Sequence, residues 1–281
     1  MYVSPKEILQ DAIDRHYAVA AFNFYNLDTL LAIIEAAEEE RSPVIAQIYA
    51  DHFTFYNGGG SIAKAALRLI EETPVPVYLH LDHASNYETI LYAIELGFHS
   101  VMYDGSELPL DENISISKTV VEAAHKHGIF TEVELGRIGR LSGGQEDAVY
   151  DDCTGVEEAC QLISNCKADS LAPAIGTAHG LYRTVPKLNF RRLEELQKAL
   201  EVPLVLHGGS GIPDELIRKS IDLGIAKINV GTELKYQWSS TMKAGLEQGL
   251  KEPIKLENNA KQAVKEIAKR KISLFGSAGK A

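Results

Sequence analysis

The run Val75-Pro-Val-Tyr-Leu-His-Leu-Asp-His83 is largely apolar and ends in two side chains able to do chemistry. Short apolar runs bounded by Gly, Pro and polar residues are what strands buried in a parallel sheet look like in sequence. Seven more occur: Ala18 to Tyr25, Pro43 to Tyr49, His99 to Gly105, Ile129 to Gly136, Ala168 to Gly176, Pro203 to Ser210 and Ile225 to Thr232. Amphipathic helical segments separate them, such as the one from Asp28 to Ala37, capped by Asp28 or Asn26. Eight strand–helix units in one chain predict an α/β fold, a closed (β/α)8 TIM barrel. A doubly wound open sheet would carry a Gly-rich fingerprint after its first strand, but here that strand runs into Asn23-Phe-Tyr-Asn-Leu. Two extra helical stretches follow the eighth strand, near Lys235 to Gln248 and Asn258 to Leu274, and the second reads as an appendage. No linker divides the chain, so residues 1–281 are expected to form a single barrel domain.

Composition narrows the classes of partner. Of 281 residues, 45% are hydrophobic and 24% charged, which argues against a disordered chain. No window holds the ~18 apolar residues of a membrane span, and the start MYVSPKEILQ lacks the pattern of a signal peptide. A net charge of −11 argues against a nucleic-acid surface. Cys153, Cys160 and Cys166 are an odd set in a long chain, which fits a reduced, cytoplasmic setting.

Barrel active sites lie at the carboxyl ends of the strands. Six of the predicted strands end in capable residues: Asp82-His83, Asp104-Gly-Ser106, Glu132-Val-Glu134, Thr177-Ala-His179, His207-Gly-Gly-Ser210 and Asn229-Val-Gly-Thr232. His83, His179 and His207 fit a three-histidine metal site, with Zn²⁺ the best match for neutral imidazoles in catalysis. His80 is an alternative third ligand, one level deeper. His16, His52, His99, His125 and His127 read as structural or surface residues. Asp82 can serve as general acid/base or orient a histidine. Asp104 and Glu134 face the same mouth, and Glu132 lies deeper. The segment His207-Gly-Gly-Ser-Gly-Ile-Pro213, leading into a helix near Asp214, offers backbone N–H groups to an anion, as does Gly231-Thr-Glu233. Metal, carboxylate and phosphate cradle together suit retro-aldol cleavage of a phosphorylated hydroxyketone.

These residues resemble the class II, zinc-dependent fructose-bisphosphate and tagatose-bisphosphate aldolases. The resemblance runs from about Pro5 to Gly276 through LHLDHA, MYDGS, EVELGRIG, AIGTAHGLY, PLVLHGGSG and KINVGTELK. It implies His83, His179 and His207 as zinc ligands and Asp82 as catalytic acid/base. Glu134 and Asp104 would stand beside the metal, as alternative ligands or behind one. Asn23, Gly180, Arg183, Gly208, Gly209, Ser210, Asn229 and Thr232 would bind substrate and its phosphate. Glu146, in Gly143-Gly-Gln-Glu-Asp147, would assist proton transfer. The resemblance further implies Na⁺ or K⁺ on carbonyls near Ala178, Gly180 and Gly208, and a homodimer or homotetramer in cytoplasmic carbohydrate metabolism such as glycolysis. The reaction would split a fructose or tagatose 1,6-bisphosphate-like ketose into dihydroxyacetone phosphate and an aldehyde through a zinc-stabilised enediolate.

The chain departs from the family where the far end of the substrate is expected. Tyr49 replaces a serine after the second strand, Arg183 a lysine after HGLY, and Gly231 an acidic or amide residue. A ketose 1-phosphate or another non-standard ketose phosphate is the alternative substrate. A Schiff-base aldolase needs a lysine inside the barrel; the sixth strand has none, and Lys227 is read at the wrong end of the eighth. An epimerase or isomerase, or a silent barrel, would share the fold; retention of Asp82 and all three histidines argues against the last.

Overall fold

The computed structural model describes residues 4–56, 58–141 and 153–281. Its centre is a closed barrel of eight parallel strands. In chain order the strands are β1 Val19–Asn23, β2 Val44–Tyr49, β3 Val77–Ala84, β4 Ser100–Tyr103, β5 Phe130–Leu135, β6 Gly139–Arg140, β7 Ser170–Pro173, β8 Ala178–His179, β9 Leu204–Leu206 and β10 Ile225–Val230. The barrel closes in the order β1-β10-β9-β7-β5-β4-β3-β2, while β6 and β8 pair apart from it. All eight residues of β3 are buried, as expected for a strand with side chains inside the barrel on one face and under helices on the other.

The helices are α1 Pro5–Asp14, α2 Leu27–Glu40, α3 Ala50–Phe55, α4 Gly60–Glu71, α5 Tyr87–Leu96, α6 Leu110–His125, α7 Val156–Cys166, α8 Phe190–Ala199, α9 Asp214–Asp222, α10 Thr232–Glu247 and α11 Pro253–Phe275. None of the described helices is long and apolar enough to cross a membrane. Helix α1 precedes the first strand and opens with a Ser4–Glu7 capping box. Its Ile8, Leu9 and Ala12 pack with Tyr17, Val19, Tyr78 and Phe130 into a cluster separate from the main core. Asn26, one of the two expected caps, accepts from the Thr29 N–H and starts α2.

Helix α11 buries Leu256, Ala260, Val264, Ala268 and Ile272, a stripe with four-residue spacing. Each large apolar side chain on it contributes roughly 1.5–3 kcal/mol. The flanking pairs Lys261–Glu35 and Lys265–Glu39 are screened by solvent, so they set the orientation of α11 on α2 more than its stability.

The strand ends differ from expectation in an informative way. The barrel strand β7 stops at Pro173, so His179 stands six residues beyond it, in the separate strand β8. Strand β9 stops at Leu206, leaving His207 as the first loop residue. Helix α10 starts at Thr232 rather than Lys235, and α11 at Pro253 rather than Asn258.

Candidate active site

In a strand, neighbouring side chains point to opposite faces, so Asp82 and His83 should not share one. The structure resolves this at β3, whose pairing with β4 shifts register between Leu81 and Ala84. His83 there has φ +49°, in the left-handed region. Such a conformation costs a β-carbon residue of order 1–3 kcal/mol and clusters at functional sites. It brings His83 and Asp82 to the same mouth. His179 arrives on β8, where its carbonyl accepts from the Leu141 N–H at 2.7 Å. His207 is fully buried.

The three imidazoles form a tight cluster, with ring centroids 4.6 Å (His83–His207), 4.7 Å (His83–His179) and 5.8 Å (His179–His207) apart. Partners behind two of them decide which nitrogen faces inward. His83 Nδ1 meets Asp104 Oδ2 at 2.8 Å, which leaves Nε2 to approach His179 Nε2 at 3.1 Å. His207 Nε2 meets Glu132 Oε1 at 2.9 Å, which leaves Nδ1 facing inward. One ligand atom from each histidine lies within 4.8 Å of the others, and His83, Asp104 and Glu134 make a second such group. Among the described residues, His207 Nδ1 and Glu134 Oε2 are buried without a hydrogen-bond partner, although only 3.3 Å apart. Inward-facing imidazole nitrogens, two orphaned polar atoms and carboxylates behind the ligands are what a divalent ion requires.

The electrostatics agree. Burial opposes charge on His207, yet its contacts with Glu132 and Glu134 raise it to about 10. Burial likewise opposes charge on His83, but Asp82 and Asp104 push it up. The protein alone is therefore short of positive charge at this point. Asp104 and Glu132 are held low despite burial, Asp104 by His83 and Ser106, Glu132 chiefly by Lys227 and His207. Burial raises Glu134.

Asp82 is gripped by side-chain amides. Asn23 Nδ2 donates to it at 2.8 Å, and Gln47 Nε2 and Asn229 Nδ2 at 3.3 Å. Gln47 Nε2 also donates to Asn23 Oδ1 at 3.0 Å. Strand register creates this grip, since Asn23 pairs with Gln47, Tyr49 with Asp82 and Ala21 with Asn229. Burial opposes the carboxylate, but the positive character of His83, His207 and Lys227 outweighs it and keeps Asp82 below its ordinary value. A side chain at Gly231 would meet Asn23 Oδ1 at 2.6 Å, so the glycine leaves room for that amide.

One layer down, Glu132 Oε2 is 2.7 Å from Lys227 Nζ, and Lys227 Nζ is 3.4 Å from His80 Nε2. His80 Nδ1 meets Ser100 Oγ at 2.8 Å. Both ring nitrogens of His80 thus have partners in this lower layer, and it belongs to neither candidate metal group among the described residues, which removes it as the alternative ligand; burial and Lys227 lower it to about 3. Lys227 is thus buried inside the barrel but below the mouth, early in β10, with its ammonium tied to Glu132.

Above Asp82, His83 and His179 lies a cavity of about 320 Å³. Gly180, Gly208, Ser210, Asn229 and Thr232 line it as expected, and so do Asn23 and Tyr49. Thr232 is the first residue of α10, which aims the amino end of that helix at the cavity. Gly208 has φ +68°, and a β-carbon there would run into the Ala178 carbonyl. The Ala178 and Gly208 carbonyls both face the Tyr182 hydroxyl, at 2.8 and 3.0 Å, which has one proton for two acceptors.

Two expectations fail here. Gly209 gives its N–H to Asn229 O at 3.0 Å and does not line the cavity. Arg183 is exposed and does not line it. A third, Glu146, lies outside the described residues. In their place the cavity has an unforeseen wall of Tyr25, His52 and Tyr236 with Lys235. His52, by sequence a structural or surface residue, has its ring 5.4 Å from Tyr25 and 5.7 Å from Tyr49. Burial and then Lys235 depress its basicity. Lys235 closes the KINVGTELK motif one helical turn past Gly231, a spacing that could have placed it on the same face.

The model of the family described as fructose-bisphosphate aldolase class-II matches residues 3–280. A 6-phospho-5-dehydro-2-deoxy-D-gluconate aldolase of Bacillus subtilis (strain 168) is 42% identical, over 100% of this chain and 97% of that protein. A fructose-bisphosphate aldolase of Staphylococcus aureus (strain Mu50) is 40% identical, over 99% of each. The crystal structure of the YdjI aldolase from Escherichia coli K12 superposes with a TM-score of 0.90 at 37% identity, covering both chains fully. With that fold and this mouth, the chain belongs to the class II fructose-bisphosphate aldolase family and is an aldolase, a carbon–carbon lyase.

Proposed function

We propose that this aldolase is metal-dependent and cleaves a phosphorylated ketose to dihydroxyacetone phosphate and an aldehyde. The observation that carries the reading is a carboxylate held by three amides beside three inward-facing imidazoles, at a mouth that also bears a Gly-rich loop. His83, His179 and His207 would hold a divalent ion, Zn²⁺ by the chemistry of the donors, with Glu134 and Asp104 close behind. When bound, that ion supplies Lewis acidity toward a substrate carbonyl.

The residues of the chain do the rest. Asn23, Gln47 and Asn229 hold Asp82 ionised and aimed into the cavity, where it takes the proton of the hydroxyl at the breaking bond. The broken carbon–carbon bond leaves its electron pair with the ketone-derived half, and a proton returns to that carbon. Ser210, Thr232 and backbone groups of Gly180 and Gly208 take the phosphate, so an acidic protein binds an anion locally. A monovalent cation, Na⁺ or K⁺, suits the shared carbonyls of Ala178 and Gly208.

The distal end of the substrate is read as non-standard. Tyr49, His52 and Lys235 wall it, and relatives of similar identity carry names that differ in the far half of the substrate. Cleavage assays across fructose and tagatose 1,6-bisphosphates, ketose 1-phosphates and 6-phospho-5-dehydro-2-deoxygluconate, each with and without chelator, test the reading. Chelation is expected to abolish cleavage. Strong preference for fructose 1,6-bisphosphate would sink the distal-end claim, and chelator-resistant turnover the metal claim.

A further inference from the structure

Helix α11 lies outside the barrel, yet one of its lysines is buried. Lys271 is 3% exposed and reaches Glu233 Oε1 at 2.6 Å. Arg270 reaches Glu233 Oε2 at 2.9 Å. Glu233 is the second residue of α10, and it grips the Gly-rich loop twice. Its N–H donates to Ser210 Oγ at 3.3 Å, and its Oε1 accepts from the Gly211 N–H at 2.7 Å.

This arrangement poses an electrostatic problem. A carboxylate bonded to Gly211, next to Ser210, would repel a phosphate bound at this loop. Two cations on α11 reverse the sign: Glu233, Lys271 and Arg270 together carry net +1. Burying an ammonium costs several kcal/mol unless it is well paired, and a neutral glutamine could brace the loop without that cost. The paired carboxylate does more than brace, because it accepts from Gly211, Arg270 and Lys271 at once and so ties loop, α10 and α11 into one unit.

We propose that Lys271, seconded by Arg270, is a positioning residue for substrate phosphate: it neutralises Glu233 so that the carboxylate can lock the 207–212 loop without repelling the anion. The helical appendage thereby becomes part of the binding apparatus without touching substrate. The proposal rests on the reading above, in which Ser210 and Thr232 take the phosphate.

The test compares metal-loaded wild type with Lys271→Met, with Lys271→Met/Glu233→Gln, and with Lys265→Met, which removes another lysine pair from the same helix. Binding of inorganic phosphate is measured by calorimetry. Aldol formation is measured with dihydroxyacetone phosphate and, separately, with unphosphorylated dihydroxyacetone. Lys271→Met is expected to weaken phosphate and raise KM for dihydroxyacetone phosphate on the order of tenfold, with kcat within about twofold. Its kcat/KM on dihydroxyacetone should not change. The double variant should recover most of the loss, and Lys265→Met should behave as wild type. Unaltered phosphate affinity in Lys271→Met, or an equal loss on dihydroxyacetone, overturns the proposal. If wild type itself binds no phosphate and does not discriminate between the two donors, the phosphate reading of the loop falls and this proposal with it. Should Lys271→Met not fold, Glu233→Gln alone decides: affinity equal to or tighter than wild type is expected, and a several-fold weakening refutes the charge argument.

Discussion

At the residue scale the site is a matter of which atom points where. Asp82 has three amide donors around its oxygens, which favours the anion that a base must be. Replacing it with Asn keeps the shape and removes the charge. Asp82→Asn is expected to lower kcat by about 10²–10⁴-fold, with one divalent ion per chain still found by elemental analysis; loss of the ion as well would reassign Asp82 to the ligands. Glu132 plays a different part, since it fixes His207 with Nδ1 inward and is itself fixed by Lys227. Glu132→Gln should reduce metal affinity by roughly 10–100-fold, measured by competition with a chromophoric chelator, and unchanged affinity would refute the role. The sequence made Asp82 and the three histidines conspicuous as residue types. It could not show His83 turning inward, because strict alternation sends it the other way and only the left-handed backbone at that residue corrects it.

At the element scale, barrel strands deliver fewer functional groups than the sequence suggests. His179 comes from β8, an excursion paired with β6, and His207 from the loop after β9. The sequence placed both at strand ends because apolar runs continue past the last ladder hydrogen bond. The Gly-rich loop was legible, but the division of labour within it was not: Gly209 spends its N–H on Asn229, and Gly211 spends its own on Glu233. Gly208 combines φ +68° with close approach to the Ala178 carbonyl. Gly208→Ala should therefore weaken inorganic phosphate binding by about tenfold or more, through the several kcal/mol of strain and displacement such sites carry. Calorimetry on the folded variant checks this, and wild-type affinity would show that the loop tolerates a β-carbon.

At the scale of the molecule, the mouth gathers Asp82, Asp104, Glu132 and Glu134 around three imidazoles with one buried ammonium, Lys227, and so demands positive charge. Without metal, protons supply it. The folded-state value of His207 is raised from 6.5 to about 10, so its stabilising contribution is complete below 6.5 and is lost as pH rises through 10. Chelator-treated protein should thus show a falling Tm from about pH 6.5 to 10, while metal-loaded protein stays nearly flat; parallel profiles would contradict the charge balance. Proton competition also makes metal affinity rise with pH. What the sequence alone determined is the barrel and its reactive end, because burial writes eight apolar runs and catalysis interrupts them at their termini with His, Asp and Gly. What only the tertiary structure decided is the pairing. Asn23, Gln47 and Asn229 meet at Asp82 because four neighbouring strands, β10, β1, β2 and β3, align in register where the barrel closes. Lys235 and His52 reach the cavity that Arg183 does not, and a terminal helix supplies Lys271 to a loop some sixty residues away in sequence. Such contacts depend on closure, and closure brings together residues that share no local pattern.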